Sequence, residues 1–248
     1  MCRMLGYVTK HQTTIPKLLG DSYSSFECLS RAQHGDGWGI GWLENGSVRV
    51  AKAPSAAQRD PQYHDAIAKA LSNAAILHYR WATMNLSVNL ENTHPFLISD
   101  VAFCHNGSVP SLDVLEGYID PQYRGMLHGT TDSEAYFGAL LSSGLKDDPL
   151  DALVSTVRKL VESCTYSSLN AMVLTPKSLY VVSAHNDEEI PKGFPKDYYK
   201  VRYQNLEDGV VVASSGWNQK GWLELPNNSV FEVAIDGSIE VVHDLYNA

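Results

Sequence analysis

The chain has 248 residues, of which 44% are hydrophobic and 19% charged, which suits one large domain, or two small ones at most, and excludes disorder over most of its length. Lys and Arg number 19 against 28 Asp and Glu, a net charge of −9, so no basic face invites a phosphate backbone and nucleic acid is not an expected partner. No apolar run approaches the ~18 residues of a membrane span, and Met1-Cys2-Arg3-Met4-Leu5-Gly6-Tyr7-Val8 is interrupted too early for a secretory core.

Short β-rich runs mark both ends of the chain. Leu5 to Thr9 and Trp38 to Leu43 read as strands, and Asn45-Gly46 turns the second into Val48 to Ala53 as a type I′ hairpin. Pro61 to Asn73 has helical spacing, with Ala66, Ile67, Ala70 and Leu71 on one stripe. Ala75 to Tyr79 and Val101 to Cys104 are expected as buried strands. Thr131-Asp132-Ser133-Glu134 has the form of a capping box, with Tyr136, Phe137, Leu140 and Leu141 as the apolar face behind it. Asp148-Pro149 opens a further helix in which Leu150, Leu153, Val154, Val157, Leu160 and Val161 repeat.

Toward the C-terminus, Ala171 to Leu174, Leu179 to Val182, Gly209 to Ala213, Val230 to Ala234 and Ile239 to Val242 read as strands. Asp187 to Asp208 is polar and is expected as a long surface loop. Tight hairpins imply antiparallel sheets with helices set apart on them, an α+β fold in one domain over residues 1–248. The location expected is cytoplasmic. Cys2, Cys28, Cys104 and Cys164 show no Cys-x-x-Cys spacing, and nine histidines show no helical i, i+4 pair, so neither disulfide framework nor metal site is expected.

Cys2 follows the initiator directly, and methionine ahead of a small residue is commonly trimmed. Trimming gives Cys2 a free α-amine of pKa ~7.7–8.0 beside a thiol of pKa ~8.5, which joins nucleophile and general base in one residue. His78-Tyr79-Arg80-Trp81-Ala82-Thr83 closes an apolar run with an arginine, whose planar fork suits a carboxylate. Phe103-Cys104-His105-Asn106-Gly107-Ser108 offers the Asn106 amide and the Gly107 N–H as an oxyanion hole. Asp132 lies in the first turn of the Thr131-capped helix, where it complements the helix dipole or holds a substrate ammonium. Four glycines in His34-Gly35-Asp36-Gly37-Trp38-Gly39-Ile40-Gly41 lack the strand-before, helix-after setting of a phosphate cradle and point to close backbone packing.

In their order, Cys2, Arg80-Trp81-Ala82-Thr83, His105-Asn106-Gly107 and Thr131-Asp132-Ser133-Glu134 resemble the class II glutamine amidotransferase (glutaminase) domain of the N-terminal nucleophile hydrolases. Asn92-Thr93-His94-Pro95-Phe96 is similar to that family's Asn-x-His-Pro segment. The resemblance implies a four-layer αββα sandwich with antiparallel sheets. It implies Cys2 as the catalytic nucleophile, Asn106 and Gly107 as the oxyanion hole, Arg80, Trp81 and Thr83 at the glutamine carboxylate region, and Asp132 at the α-amine. Arg3 departs from the glycine of the large synthases, and Met84-Asn85 from their His-Gly. The chain is more similar to small stand-alone members beginning Met-Cys-Arg, among them the ergothioneine-pathway γ-glutamyl hydrolases. The expected activity is cleavage of the γ-amide of glutamine or a small γ-glutamyl compound through a thioester on Cys2, with no cofactor and no metal. The rival expectations are an ammonia-supplying subunit of a separate synthase and a catalytically silent glutamate-binding regulatory module.

Overall fold

The computed structural model describes residues 2–32, 34–82 and 86–246. Strands β1 (Arg3–Thr13), β2 (Trp38–Glu44), β3 (Ser47–Ala53) and β4 (Ser72–Tyr79) occupy the first third of the chain. They are followed by β5 (Phe96–Ile98), β6 (Val101–Ser108), β7 (Ser168–Leu174) and β8 (Ser178–Ser183). The last are β9 (Val201–Leu206), β10 (Gly209–Ser214), β11 (Leu223–Glu224), β12 (Ser229–Ala234) and β13 (Glu240–Asp244). One sheet has the order β11-β9-β10-β1-β4-β2-β3 and the other β13-β12-β8-β7-β6-β5, with antiparallel pairing throughout.

Alternation along each strand sends side chains to opposite faces, which produces three cores and four layers. From β1, Met4 and Val8 meet Ala102, Cys104, Met172 and Leu179 of the second sheet, so the two sheets pack face to face. Leu5 and Tyr7 point the other way, into a core with Phe26, Tyr63 and Ile67. Those residues belong to the first helical layer: α1 (Ile15–Leu19), α2 (Tyr23–Glu27), α3 (Leu29–Ala32) and α4 (Pro61–Lys69). On the far side, Phe103, Ala171 and Val182 pack on a second helical layer. That layer holds α5 (Leu112–Gly117), α6 (Pro121–Arg124), α7 (Asp132–Ser142) and α8 (Pro149–Ser163). This is the expected αββα sandwich.

Three expectations change at the level of elements. The helix over Pro61 to Asn73 stops at Lys69, because Ser72 and Asn73 hydrogen-bond into neighbouring strands; the Asn73 amide donates to Thr9 O (3.0 Å) and Lys10 O (2.7 Å). Leu71, placed on the buried stripe, is 52% exposed. The Asp187 to Asp208 loop contains β9, whose Val201 and Tyr203 alternate toward the inter-sheet core while Arg202 and Gln204 face away. The capping box is half formed. Thr131 accepts the Glu134 N–H at 3.2 Å, but the Glu134 carboxylate accepts the N–H groups of His128 and Gly129 in place of its N-cap. Among the described residues no helix is long and apolar enough to cross a membrane.

Candidate active site

Cys2 sits immediately before β1, the central strand of its sheet. The β1–β4 ladder begins at Arg3↔Tyr79, which sets Cys2 beside the residues that leave β4, Arg80 and Trp81. Cys2 is 9% exposed. The Trp81 N–H donates to its sulfur at 3.4 Å, and the thiol donates to Trp81 O at 3.7 Å. Burial pushes the thiol above its ordinary pKa; the Trp81 N–H and the nearby Arg80 and Arg3 guanidiniums pull in the other direction. This is a protonated thiol held in place, so its use as a nucleophile requires a proton acceptor.

The glycine-rich segment positions the Arg80 to Ala82 turn. Arg80 N–H donates to Gly37 O (2.8 Å), Asp36 N–H to Arg80 O (3.1 Å), and Ala82 N–H to the Asp36 carboxylate (2.8 Å). The segment's glycines also permit the close packing expected: a Cβ on Gly39 would lie 2.1 Å from His94 O. The Arg80 side chain is 3% exposed; its Nη2 donates to Ser87 O at 3.1 Å, and its buried Nη1 has no partner among the described residues. Burial lowers its pKa, an effect that the neighbouring Cys2 sulfur and Asp36 carboxylate oppose. Trp81 is half-buried, edge-on to His34 (5.7 Å) and tilted against Phe194 (6.1 Å). Thr83 lies outside the described residues.

Asn106 and Gly107 lie beyond the strand expected over Val101 to Cys104. They are strand residues, because β6 runs on to Ser108 with Asn106↔Asn170 and Gly107↔Leu169 in register. Ser99 (φ 49°) and Asp100 (φ 60°) form a type I′ turn between β5 and β6, so the closing pair Ile98–Val101 and every second pair exchange hydrogen bonds. Val101, Phe103, His105 and Gly107 therefore share one edge of β6. Strand β5 covers that edge only as far as Phe103. His78 takes the next position, its Nε2–H donating to His105 O at 3.2 Å, and the Gly107 N–H lies one step beyond. The side of Gly107 toward β7 admits nothing larger, since a Cβ would fall 1.7 Å from Ser168 O.

Asn106 faces the other sheet. Its Nδ2 donates to Ser214 Oγ of β10 at 3.5 Å, and Ser214 Oγ accepts the Met4 N–H at 3.1 Å. Asp132, at the start of α7, accepts Val109 N–H (2.6 Å) and Ser133 N–H (2.9 Å), which ties that helix to the end of β6. The structure thus brings Cys2, Arg80, Trp81, Asn106 and Gly107 to one end of the sandwich, with Asp132 fastened two residues past Gly107. Asp36, Ser214 and His78 support them; Asp36 lay within a motif noted for its glycines, whereas nothing local in sequence marks Ser214.

The histidines of the motifs are committed elsewhere. His105 Nε2–H donates to Ser168 O (3.0 Å) and its Nδ1 accepts the Ser133 hydroxyl (2.9 Å). His94 is buried with its ring 4.2 Å from that of His78. Burial lowers the pKa of all three, His78 to about 3. None of them hydrogen-bonds the Cys2 sulfur, whose partner is the Trp81 main chain. Among the described residues no cluster of three or more His, Cys, Asp or Glu side chains is placed to hold a metal ion.

Residues 1–188 match the family model described as glutamine amidotransferases class-II. The chain belongs to that family. It is accordingly an enzyme of the amidotransferase class. It is 24% identical over 247 residues to the gamma-glutamyl-hercynylcysteine sulfoxide hydrolase of Mycobacterium tuberculosis, covering 96% of this chain and 94% of that protein. It is 34% identical over 153 residues to a putative glutamine amidotransferase of Haemophilus influenzae, covering 55% of this chain and 46% of the other. Among solved structures, a glutamine aminotransferase class-II domain protein from Silicibacter pomeroyi superposes with a TM-score of 0.69 at 20% identity, covering 98% and 99% of the two chains. The glutamine phosphoribosylpyrophosphate amidotransferase from B. subtilis superposes with a TM-score of 0.68 at 16% identity, over 98% of this chain and 49% of that one. Both share the fold found here, two antiparallel sheets packed between two helical layers.

Proposed function

We propose that the chain hydrolyses the γ-amide bond of a small γ-glutamyl compound, with Cys2 as nucleophile after removal of Met1. The observation that carries this reading is the surroundings of the thiol. It is raised by burial, it is held by the Trp81 main chain, and no side-chain base among the described residues hydrogen-bonds it. The α-amine that Met1 removal would expose is the remaining proton acceptor, with an ordinary pKa of ~7.7–8.0 that leaves it partly neutral near pH 7.

In the reaction, the amine takes the thiol proton as sulfur attacks the γ-carbonyl carbon. The carbonyl oxygen becomes an oxyanion, which the Asn106 amide and the Gly107 N–H stabilise. Collapse breaks the C–N bond, the amine returns the proton to the leaving nitrogen, and a γ-glutamyl thioester remains on Cys2. Water then attacks the thioester, its proton passing through the amine to the departing sulfur, to give glutamate and free Cys2. Ser214 already accepts the Met4 N–H and keeps its own proton to give. With the Asn106 amide turned so that Oδ1 accepts that proton, its NH₂ is free for the oxyanion. Arg80 supplies the cation for the α-carboxylate and Asp132 the anion for the α-ammonium, with Trp81 next to Arg80.

Hydrolysis without a dedicated acceptor is favoured over ammonia supply to a separate synthase subunit. The relative covered over 94% of its length is a hydrolase of a γ-glutamyl compound. The test is a substrate panel on the Met1-free protein, confirmed by intact mass: glutamine, γ-glutamyl alkylamides and γ-glutamyl thioether or sulfoxide compounds. Release of glutamate with a larger amine, faster than ammonia from glutamine, is expected. Turnover of glutamine alone, or only with an added synthase, would favour the subunit reading. Binding of glutamate without turnover of any amide would favour the regulatory one.

A further inference from the structure

The residue after the nucleophile is a buried cation. Arg3 is 5% exposed, and Asp197, the acid acting on it, is already paired with Arg202 at 2.7 Å. Its Nη1 instead donates to the carbonyl oxygen of Cys2 at 3.0 Å. The guanidinium carbon lies 4.8 Å from the centre of the Tyr198 ring, and the Tyr198 hydroxyl hydrogen-bonds the same group. Gly216 (φ +101°) closes the other side; a Cβ there would lie 3.0 Å from Nε and 3.1 Å from Nη2. Nε itself is buried without a hydrogen-bond partner among the described residues.

A buried guanidinium with an unmet N–H opposes stability, so this arrangement calls for another explanation. The ladder supplies one. Pairing of β1 with β4 begins at Arg3, which leaves Cys2 outside the sheet's hydrogen bonds. A terminal residue in that position frays unless something ties it down. We infer that Arg3 is a positioning residue, which clamps the main chain of Cys2 through its carbonyl and sets a fixed positive charge beside the nucleophile, with Tyr198 and Gly216 holding the clamp in place. This rests on the reading of Cys2 as the nucleophile.

Besides the chain's own terminal amine, the charged and titratable groups around Cys2 are Arg3 itself, Arg80 from the end of β4, Tyr198 from the segment before β9, and Cys104 of β6. Burial keeps the last two neutral, with Tyr198 raised to about 12. The working charges are therefore the two guanidiniums. A fixed cation disfavours an ammonium and favours a thiolate, so removing Arg3 moves the titrations of both amine and thiol to higher pH.

The experiment uses the Met1-free enzyme with Arg3→Met, Arg3→Lys and Tyr198→Phe. It reads kcat and KM on a γ-glutamyl anilide, the pH profile of kcat/KM, and the pH dependence of Cys2 alkylation by iodoacetamide. Arg3→Met is expected to lower kcat by about tenfold to a hundredfold with KM within about twofold, as for a misplaced reacting group. Its acid limb should move up by about one pH unit in both turnover and alkylation. Arg3→Lys should keep the limb and lose part of kcat, with Tyr198→Phe between the two. A limb unmoved in both assays in Arg3→Met or Tyr198→Phe, or a change confined to KM in any of the three variants, would overturn the clamp. If the parent enzyme turns over no γ-glutamyl amide, the proposed reaction fails, yet the alkylation limb still decides the role of Arg3. Should Arg3→Met not fold, Arg3→Lys and Tyr198→Phe decide it.

Discussion

Asn106 of one sheet and Ser214 of the other meet across the sandwich, Nδ2 to Oγ at 3.5 Å, and Ser214 also receives the N–H of Met4, two residues past Cys2. One hydroxyl therefore registers the Asn106 amide, the proposed oxyanion donor, against the strand that follows Cys2. Ser214→Ala leaves the Met4 N–H buried and unpaired, which costs about 1–3 kcal/mol of stability. It also frees the Asn106 amide to rotate, so kcat should fall by about tenfold with KM unchanged. Denaturant unfolding with steady-state kinetics checks both; an unchanged kcat in a destabilised protein would remove Ser214 from the site.

Asn106 and Gly107 should answer differently to substitution. Asn106→Ala removes one proposed oxyanion donor and is expected to lower kcat by ~10²–10³ with little loss of stability. Gly107→Ala drives a methyl group into the main chain of Ser168, so β6 and β7 must separate and the protein should not reach a native fold. Circular dichroism beside the kinetics distinguishes the two outcomes. A folded, active Gly107→Ala protein would contradict the packing described.

Arg80→Lys keeps a positive charge but loses the fork that reaches Ser87 O and the unpaired Nη1. The expected result is a rise in KM worth ~1–3 kcal/mol with kcat less affected. Asp132→Asn should also raise KM, with added instability because an amide cannot accept both the Val109 and Ser133 N–H groups. Unchanged KM for both variants would remove these residues from substrate recognition.

His78, His94 and His105 carry a pH signature. Each is buried with its pKa lowered, His78 to about 3, so the folded chain keeps them neutral while the unfolded chain protonates them below ~6.5. The unfolded state then binds more protons, and stability must fall as pH drops through 6.5, at about 1.4 kcal/mol per pH unit for each proton. For His78 this slope lasts until pH about 3. His78→Leu should remove about one proton from the slope between pH 6 and 4, measured by urea unfolding on the intact chain. An identical slope would mean that His78 is already charged in the fold.

Much of the site was readable before any geometry, because Cys2, Arg80, Asn106 and Asp132 stand within short motifs whose residue types suit one reaction. Tight hairpins and separate helical runs pointed to an α+β fold, and the family resemblance implied its four layers. What stayed hidden depends on contacts far apart in sequence. Ser214 meets Met4 across 210 positions, and nothing around Ser214 marks it. The strand expected to end at Cys104 continues through Asn106 and Gly107, because register with Asn170 and Leu169 extends it where Asn-Gly locally favours a turn. Strand β9 alternates as Val-Arg-Tyr-Gln, but its polar setting hid a pattern that pairing with β10 reveals. The short helices α1 to α3 lack a long apolar stripe and owe their form to docking on Phe26 and its neighbours.

The most direct test of the central claim is covalent capture. The Met1-free enzyme is treated with a diazo-ketone analogue of glutamine, and adduct formation is followed by intact mass and peptide mapping against loss of γ-glutamyl hydrolysis. The account predicts one adduct per chain, on Cys2 alone, with activity lost in proportion. Cys2→Ala should be folded, unlabelled and inactive, and the form retaining Met1 should keep only trace activity, because its Cys2 nitrogen is an amide and general-base loss costs ~10²–10⁴ in rate. Labelling of Cys104 instead, or full activity in the Met1-retaining form, would contradict Cys2 as an N-terminal nucleophile.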